Sequence, residues 1–395
     1  MGALLLVAAL LLAVPVLVLA IQVSSALLAR KTEPGTQAMS ARPASVAVLV
    51  PAHDEAAGIA ATIASVLAQL SGADRLLVVA DNCSDDTARI ARAAGADVIE
   101  RHDELHRGKG YALDCGVKHL AESPPEAVVI VDADCIPAAG AIDRIARLSV
   151  MTRRPVQALY LMHSPPGAPL KTRIAEFAWV FKTQRIIGFH HLGLPCQLMG
   201  SGMAFPWQLI NKAPLASGHI VEDLQLGLDL TIAGAPPLFC PQALVTSMFP
   251  LGASGMASQR MRWEHGHFGV IASMGPRLVR LAWTRRQSEL AAMALDVCVP
   301  PLAALVMALS LVMLASAAAA LAGTANFALL VSALSMATLA AILAIAWRAF
   351  GKEVVTLAEL ATAPAYVIAK IPMYLRMGWK RQTQWVRTKR DHGAD

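Results

Sequence analysis

Val46-Ala47-Val48-Leu49-Val50 is a run of apolar, β-favouring residues stopped by Pro51, and the chain turns polar and charged immediately afterwards at His53-Asp54-Glu55. A short run this uniformly apolar fits a strand buried on both faces. Working outward, 57–70 reads as a helix and Leu76-Leu77-Val78-Val79-Ala80 as a second strand, ending in the polar cluster Asp81-Asn82-Cys83-Ser84-Asp85-Asp86. The pattern then repeats. A helix over 86–94, a short strand at 97–99, a helix over 109–121 and the strand Ala127-Val128-Val129-Ile130-Val131 follow in turn, the last meeting Asp132-Ala133-Asp134. This alternation predicts an α/β domain with a parallel-rich sheet, whose ligands gather at the C-terminal ends of the strands.

The composition places that domain beside a membrane. With 56% hydrophobic residues and a mean hydropathy of +0.51, the chain is too apolar to be wholly soluble. Most of its Asp, Glu and His lie within 44–286, which marks out one cytosolic domain between apolar flanks. Residues 1–29 carry no side-chain charge, and about 20 apolar residues suffice to cross a bilayer. No basic residue precedes Arg30, so a transmembrane anchor is expected here rather than a cleaved signal. The stretch 291–322 is apolar apart from Asp296, and 327–347 is uncharged, with Gly323-Thr324-Ala325-Asn326 between them. A two-helix transmembrane hairpin over 291–347 is therefore expected, with Asp296 at a helix end or snorkelling to the interface. The Pro-interrupted 354–379 suits an interfacial helix, and 380–395 a basic cytosolic tail.

The net charge of +6 concentrates beside these apolar runs, at Arg30, Lys31 and Arg42, at Arg277, Arg280, Arg285 and Arg286, and at Lys380, Arg381, Arg387, Lys389 and Arg390. That placement predicts membrane lipids as partners and no nucleic acid. By the positive-inside rule it predicts a multi-pass protein of the inner (plasma) membrane with its soluble domain cytoplasmic. The six cysteines contain no C-x-x-C pair, so neither a zinc site nor a disulfide framework is expected.

Three acidic clusters, after the strands ending near Val50, Ala80 and Val131, are expected to converge on one edge of the sheet. Ser84 or Asp85 can cap the helix that follows, but capping uses one residue per loop. Converging carboxylates suit a hard divalent cation carrying a diphosphate. Arg107-Gly108-Lys109-Gly110 lacks the spacing of a P-loop, and no G-x-G-x-x-G follows the first strand. Lys109, at a helix start, is either a phosphate or base contact or a solvated turn lysine.

In order, Pro-Ala-His-Asp-Glu (51–55), Asp-Asn-Cys-Ser-Asp-Asp-Thr (81–87), Gly-Lys-Gly-Tyr-Ala-Leu (108–113), Asp-Ala-Asp (132–134), Gly-Ser-Gly (200–202), Val-Glu-Asp (221–223) and Gln-Arg-Met-Arg-Trp (259–263) resemble the family 2 glycosyltransferases. The resemblance is to the membrane-bound type that builds bacterial polysaccharides. It implies a GT-A fold, a nucleotide-sugar donor, commonly a UDP-sugar, and inversion at the anomeric carbon. By motif, it puts Pro51, Glu55, Asp81, Lys109 and Asp132 at the donor. Asp134 and Asp132 become the ligands of Mg²⁺ or Mn²⁺, and Asp223 the catalytic base, with Glu222 its support. Gly200, Ser201, Gln259, Arg262 and Trp263 fall on the acceptor and diphosphate side. Glu222-Asp223 also reads as a helix N-terminus, and 259–263 as a juxtamembrane amphipathic segment.

The expected function is thus inverting transfer of a sugar to a lipid-linked saccharide acceptor in exopolysaccharide or cell-surface polysaccharide synthesis. The alternative is a processive β-polysaccharide synthase of the cellulose, chitin or hyaluronan type. A third reading is an inactive nucleotide-sugar-binding subunit. The second motif departs from the commoner Asp-Asp-Gly-Ser pattern of the family. Only two spans follow the domain, which favours single transfer.

Overall fold

A computed structural model describes residues 1–30, 42–250 and 252–374; the expected basic tail 380–395 and the end of the expected interfacial helix lie outside the described residues. The chain divides into two compact units. Among described residues, one gathers 42–166 and 195–266, and the other 1–30, 167–194 and 267–374.

The first unit is built on an eight-stranded sheet. Its strands are β1 (Val46–Ala52), β2 (Arg75–Asp81), β3 (Asp97–Arg101), β4 (Ala127–Ile130), β5 (Ile136–Pro137), β6 (Val156–His163), β7 (Met203–Pro206) and β8 (Leu238–Met248). The spatial order is β3-β2-β1-β4-β7-β6-β8-β5. The first four strands are mutually parallel. β7 runs antiparallel to β4 and β6, β6 and β8 are parallel, and β5 closes the edge antiparallel to β8. From β1 the chain winds outward to β2 and β3 and then returns to lay β4 on the other side of β1. That reversal opens a crevice beyond the C-terminal ends of β1 and β4.

β1 is apolar throughout because both its faces are covered: Val46, Ala47, Val48, Leu49 and Val50 are at most 1% exposed. Each fully buried aliphatic side chain of this size contributes roughly 1.5–3 kcal/mol. On one face, helix Lys109–Leu120 brings Ala112, Leu113, Val117 and Leu120 against Leu49, Leu77 and Val79. Gly116 makes that approach possible, since a Cβ there would stand 2.4 Å from Leu49 Cδ1.

The second unit holds three helices long and apolar enough to cross a membrane: Gly2–Ala29, Leu302–Leu321 and Asn326–Gly351. The last ends in a π-helical turn, Trp347–Gly351. Leu19, Leu305, Leu309 and Leu339 meet in its core with Phe181 and Phe189 of helix Leu170–His191. The backbones of the first span and this helix nearly touch, for a Cβ on Gly188 would fall 1.8 Å from the carbonyl oxygen of Gln22.

The described elements differ from four expectations in their bounds or in part. Residues 167–194 and 267–286 group with the apolar helices, so the domain read as continuous over 44–286 is interrupted. The hairpin read over 291–347 begins later: helix Ser288–Val297 ends before Pro300-Pro301, and the span starts at Leu302. Proline has no N–H to donate and biases the residue before it away from helix, which accounts for the break. Asp296 does stand at a helix end, next to last in Ser288–Val297, but it does not snorkel. It is buried and accepts hydrogen bonds from Gln22 Nε2 at 2.6 Å and from Arg185 at 2.8 Å. The interfacial stretch read over 354–379 is, where described, a series of short helices including Leu357–Leu360 and Ala363–Ile368. The first of these carries a capping box between Thr356 and Glu359.

Candidate active site

The loops after β1 and β2 bind each other. Asp54 Oδ1 accepts the backbone N–H of Ser84 at 2.6 Å, Asp85 Oδ2 accepts that of Ala56 at 3.1 Å, and the N–H of Glu55 donates to Thr87 Oγ1 at 2.7 Å. Asp85 also accepts the N–H of Thr87, the first residue of helix Thr87–Ala93, but the N-cap position is Asp86, not the expected Ser84 or Asp85. Pro51 lies inside β1, paired in register with Val79. The three acidic clusters therefore do not pool on one point. Asp54, Cys83 and Asp85 form one group of ligand atoms, and Asp132, Asp134 and Cys135 another, each within 4.8 Å.

Asp81 ends β2 buried, and its carboxylate accepts from Arg101 at 2.6 Å and Asn82 at 3.0 Å. Burial raises the Asp81 carboxyl above its ordinary value, with Arg101 opposing the shift. Arg101 also reaches Asp103 at 3.0 Å and lies over the Tyr111 ring, 5.6 Å from its centroid. Arg101 lies in none of the motifs. Its signal was a position beside Asp81 at the C-terminal end of a parallel strand, visible only once β3 is extended from 99 to 101.

Beyond β4, the ammonium of Lys109 forms an ion pair with Asp132 Oδ1 and donates to the carbonyl of Gly200 at 2.8 Å. Lys109 is the first residue of its helix and is mostly buried. Burial alone would lower its pKa, but Asp132, Glu222 and Asp223 outweigh it and hold the amine above its ordinary value. Burial raises Asp132 in turn, Lys109 opposes that, and the negative charge of Asp134 adds to it. Asp134 Oδ2 accepts from Ser247 at 3.2 Å.

Glu222 and Asp223 open helix Glu222–Ile232. Burial and the adjacent Asp223 push Glu222 up to about 7. Gly200 shows how these groups meet. With φ +92°, it carries no side chain where a Cβ would stand 3.2 Å from Asp223 Oδ2, 3.4 Å from Lys109 Nζ and 3.7 Å from Asp132 Oδ2. The carboxylates of Asp223 and Asp132 and the ammonium of Lys109 thus face one position. Ser201 supports the same loop by accepting the N–H of Asp132 at 3.0 Å. Gln157, fully buried in β6 and absent from the sequence reading, holds the loop from beneath: its Nε2 donates to Ser201 O and its Oε1 accepts from Met199 N. A buried amide in a strand needs such partners, and that requirement was its only sequence signal. Lys109, Glu222 and Asp223 also line one small cleft, shared with Leu113, Met203 and Leu226.

Gln259, Arg262 and Trp263 are half-buried on helix Ala253–Arg285. This helix reaches the segment that precedes Glu222 at Gly266, where a Cβ would stand 2.6 Å from Val221 Cγ1.

A mixed, mostly parallel sheet with carboxylates beyond β4 and at the start of a later helix defines a GT-A sugar-transfer domain. The model of the family described as "Glycosyltransferase like family 2" matches residues 43–266, and the chain belongs to that family. It is a glycosyltransferase using a nucleotide-sugar donor. An uncharacterized glycosyltransferase of Mycobacterium tuberculosis is 30% identical over 194 residues, 45% of this chain and 82% of that protein. The 4,4'-diaponeurosporenoate glycosyltransferase of Staphylococcus aureus is 33% identical over 93 residues, 23% of this chain and 24% of that protein. Among solved structures, a mannosyltransferase from Pyrobaculum calidifontis in complex with GDP-Man and Mn²⁺ aligns with 84% of this chain and 98% of its own, at TM-score 0.48 and 18% identity.

Proposed function

We propose that the protein transfers one sugar, with inversion, from a UDP-sugar to a lipid-linked saccharide acceptor during assembly of a cell-surface polysaccharide. The observation that carries this reading is the shared position in front of Gly200, faced by Asp223, Lys109 and Asp132. There the acceptor hydroxyl gives its proton to Asp223 as its oxygen bonds to the anomeric carbon, while the bond from that carbon to the diphosphate breaks. A positioned general base contributes about 10²–10⁴ in rate. Lys109, facing the same position and paired with Asp132, brings positive charge to the leaving diphosphate. Burial and the neighbouring Asp223 raise the Glu222 carboxyl to about 7, so it keeps its proton below neutral pH.

Asp132 and Asp134 are the residues that would hold Mg²⁺ or Mn²⁺, and their chemistry fits. Two hard oxygen donors stand close together, and the Asp132 carboxyl is raised by burial and by its neighbour's charge, a cost that a cation relieves. Cys135 completes that cluster, but burial holds its thiol well above the ordinary range and so protonated. A bound cation supplies positive charge to the departing diphosphate.

Three apolar helices and basic residues at their flanks support a multi-pass inner-membrane protein with the catalytic unit in the cytoplasm. Membranes containing the protein, incubated with labelled UDP-, GDP- and dTDP-sugars and Mg²⁺ or Mn²⁺, should place label in a lipid extract. Label found only in long insoluble polymer would instead establish the processive reading.

A further inference from the structure

In its second half, helix Ala253–Arg285 has two unlike faces. Val270, Met274 and Leu278 are buried at one-turn spacing, and Gly275 packs on Cys298. Opposite Met274, one turn apart, Val279 and Trp283 are 56% and 85% exposed. Arg277 and Arg280 flank that apolar stripe three residues apart, and Arg286 follows the helix end, all three exposed. An indole and a valine exposed together opposite the packed face form an apolar stripe that no described residue of the fold covers.

The arginines say what. Elsewhere, exposed or half-exposed guanidiniums find carboxylates, as Arg42, Arg89 and Arg92 do with Asp74, Asp86 and Glu100. Among the described residues, Arg277, Arg280 and Arg286 form no ion pair, and the one contact of Arg277 is Met274 sulfur at 4.0 Å. A row of unpaired cations beside an exposed Trp and Val is complementary to a surface that is anionic outside and apolar beneath. A second copy of this face would bring cation against cation. So would the chain's own tail, where Lys380, Arg381, Arg387, Lys389 and Arg390 outnumber Asp391 and Asp395.

We propose that residues 276–286 are a docking surface for anionic glycerophospholipid headgroups, with Trp283 and Val279 entering the acyl boundary and Arg277, Arg280 and Arg286 engaging the phosphates. This rests on the membrane reading above and adds a lipid class and a site to it. Each arginine is worth about a fivefold preference for an anionic surface.

The test uses full-length protein in nanodiscs whose brominated acyl chains are carried either by phosphatidylglycerol or by phosphatidylcholine. The signal of Trp283 is the difference between the protein and its Trp283→Phe variant. The expected result is stronger quenching of Trp283 by the brominated phosphatidylglycerol, with the preference falling about fivefold per arginine replaced in an Arg277→Gln/Arg280→Gln/Arg286→Gln variant. Equal quenching by the two lipids overturns the proposal, as does a preference that survives the triple substitution. Should that variant not fold, raising salt from about 0.1 M to about 1 M on the unaltered protein must erase most of the preference, and a salt-independent preference overturns the proposal. No quenching of Trp283, with cross-links to a second copy or to an acidic protein, overturns it too. Alkaline carbonate extraction separates the two readings: release from membranes sinks the membrane reading itself, whereas retention without lipid preference sinks only this one.

Discussion

Replacing Gly200 by alanine adds one methyl group at the point where Asp223, Lys109 and Asp132 meet. Two costs follow, and they can be separated. The backbone stands at φ +92°, a conformation that costs a non-glycine residue about 1–3 kcal/mol. That loss lowers Tm by roughly 2–4 °C per kcal/mol for a domain of about 150–250 residues. The second cost is local. At 3.2 Å from Asp223 Oδ2 and 3.4 Å from Lys109 Nζ the methyl is tighter than ordinary contact, so the base or the ammonium must move. A misplacement of about 1 Å costs on the order of 100-fold in rate. Gly234 supplies the control, because its φ is +90° and a Cβ there meets nothing within 4 Å. Gly234→Ala should therefore match Gly200→Ala in thermal stability while keeping transfer activity. The assay pairs a melting curve with nucleotide release from a sugar donor. Wild-type kcat/KM in Gly200→Ala, or an equal activity loss in Gly234→Ala, would refute the placement of the reaction at Gly200.

Other expectations follow from the same geometry. Asp223→Asn should lower kcat by about 10²–10⁴ while donor affinity, measured by calorimetry, is kept; parallel loss of binding and turnover argues against a base. Chelation with EDTA should stop transfer and added Mg²⁺ or Mn²⁺ restore it, and unchanged turnover in excess chelator would remove the cation from the scheme. Glu222 keeps its proton to about pH 7 in the folded state, whereas an unfolded glutamate releases it near 4.5, so native stability falls as pH rises through that window. Glu222→Gln should flatten the dependence, making the variant the more stable protein at pH 8 but not at pH 4; parallel melting curves at both pH values would contradict this. Asp296→Ala strands Arg185 beside Gln22 and should cost about 3–5 kcal/mol in detergent, most of it recovered when Arg185→Met is added. No recovery in the double variant would mean the pair is not the source.

The parts of the fold legible in the sequence are those with a uniform environment. β1, β2 and β4 are covered on both faces and show as unbroken apolar runs. β7 is four residues long, and β8 mixes Pro241, Gln242 and Thr246 into an irregular pairing with β6, so neither stands out. Helix Leu170–His191 hides for a different reason. It buries Thr172 and Thr183 as well as Phe177, Phe181 and Phe189, which blurs any apolar stripe. In the site, Lys109, Asp132, Gly200 and Asp223 carry motifs and could be marked in advance. Arg101, Gln157 and Ser247 could not, because their roles arise from register between strands distant in sequence.

The interruption of the catalytic unit at 167–194 bears on how this enzyme is made. β4 waits for its partner β7 until Met203–Pro206 has been synthesised, after the whole of helix Leu170–His191 has emerged. A soluble fragment trimmed at both ends to 42–266 would still carry that helix, with Phe181 and Phe189 parted from the apolar residues that cover them in the intact chain. Solubilising the catalytic unit calls for excision from its middle, not only from its ends.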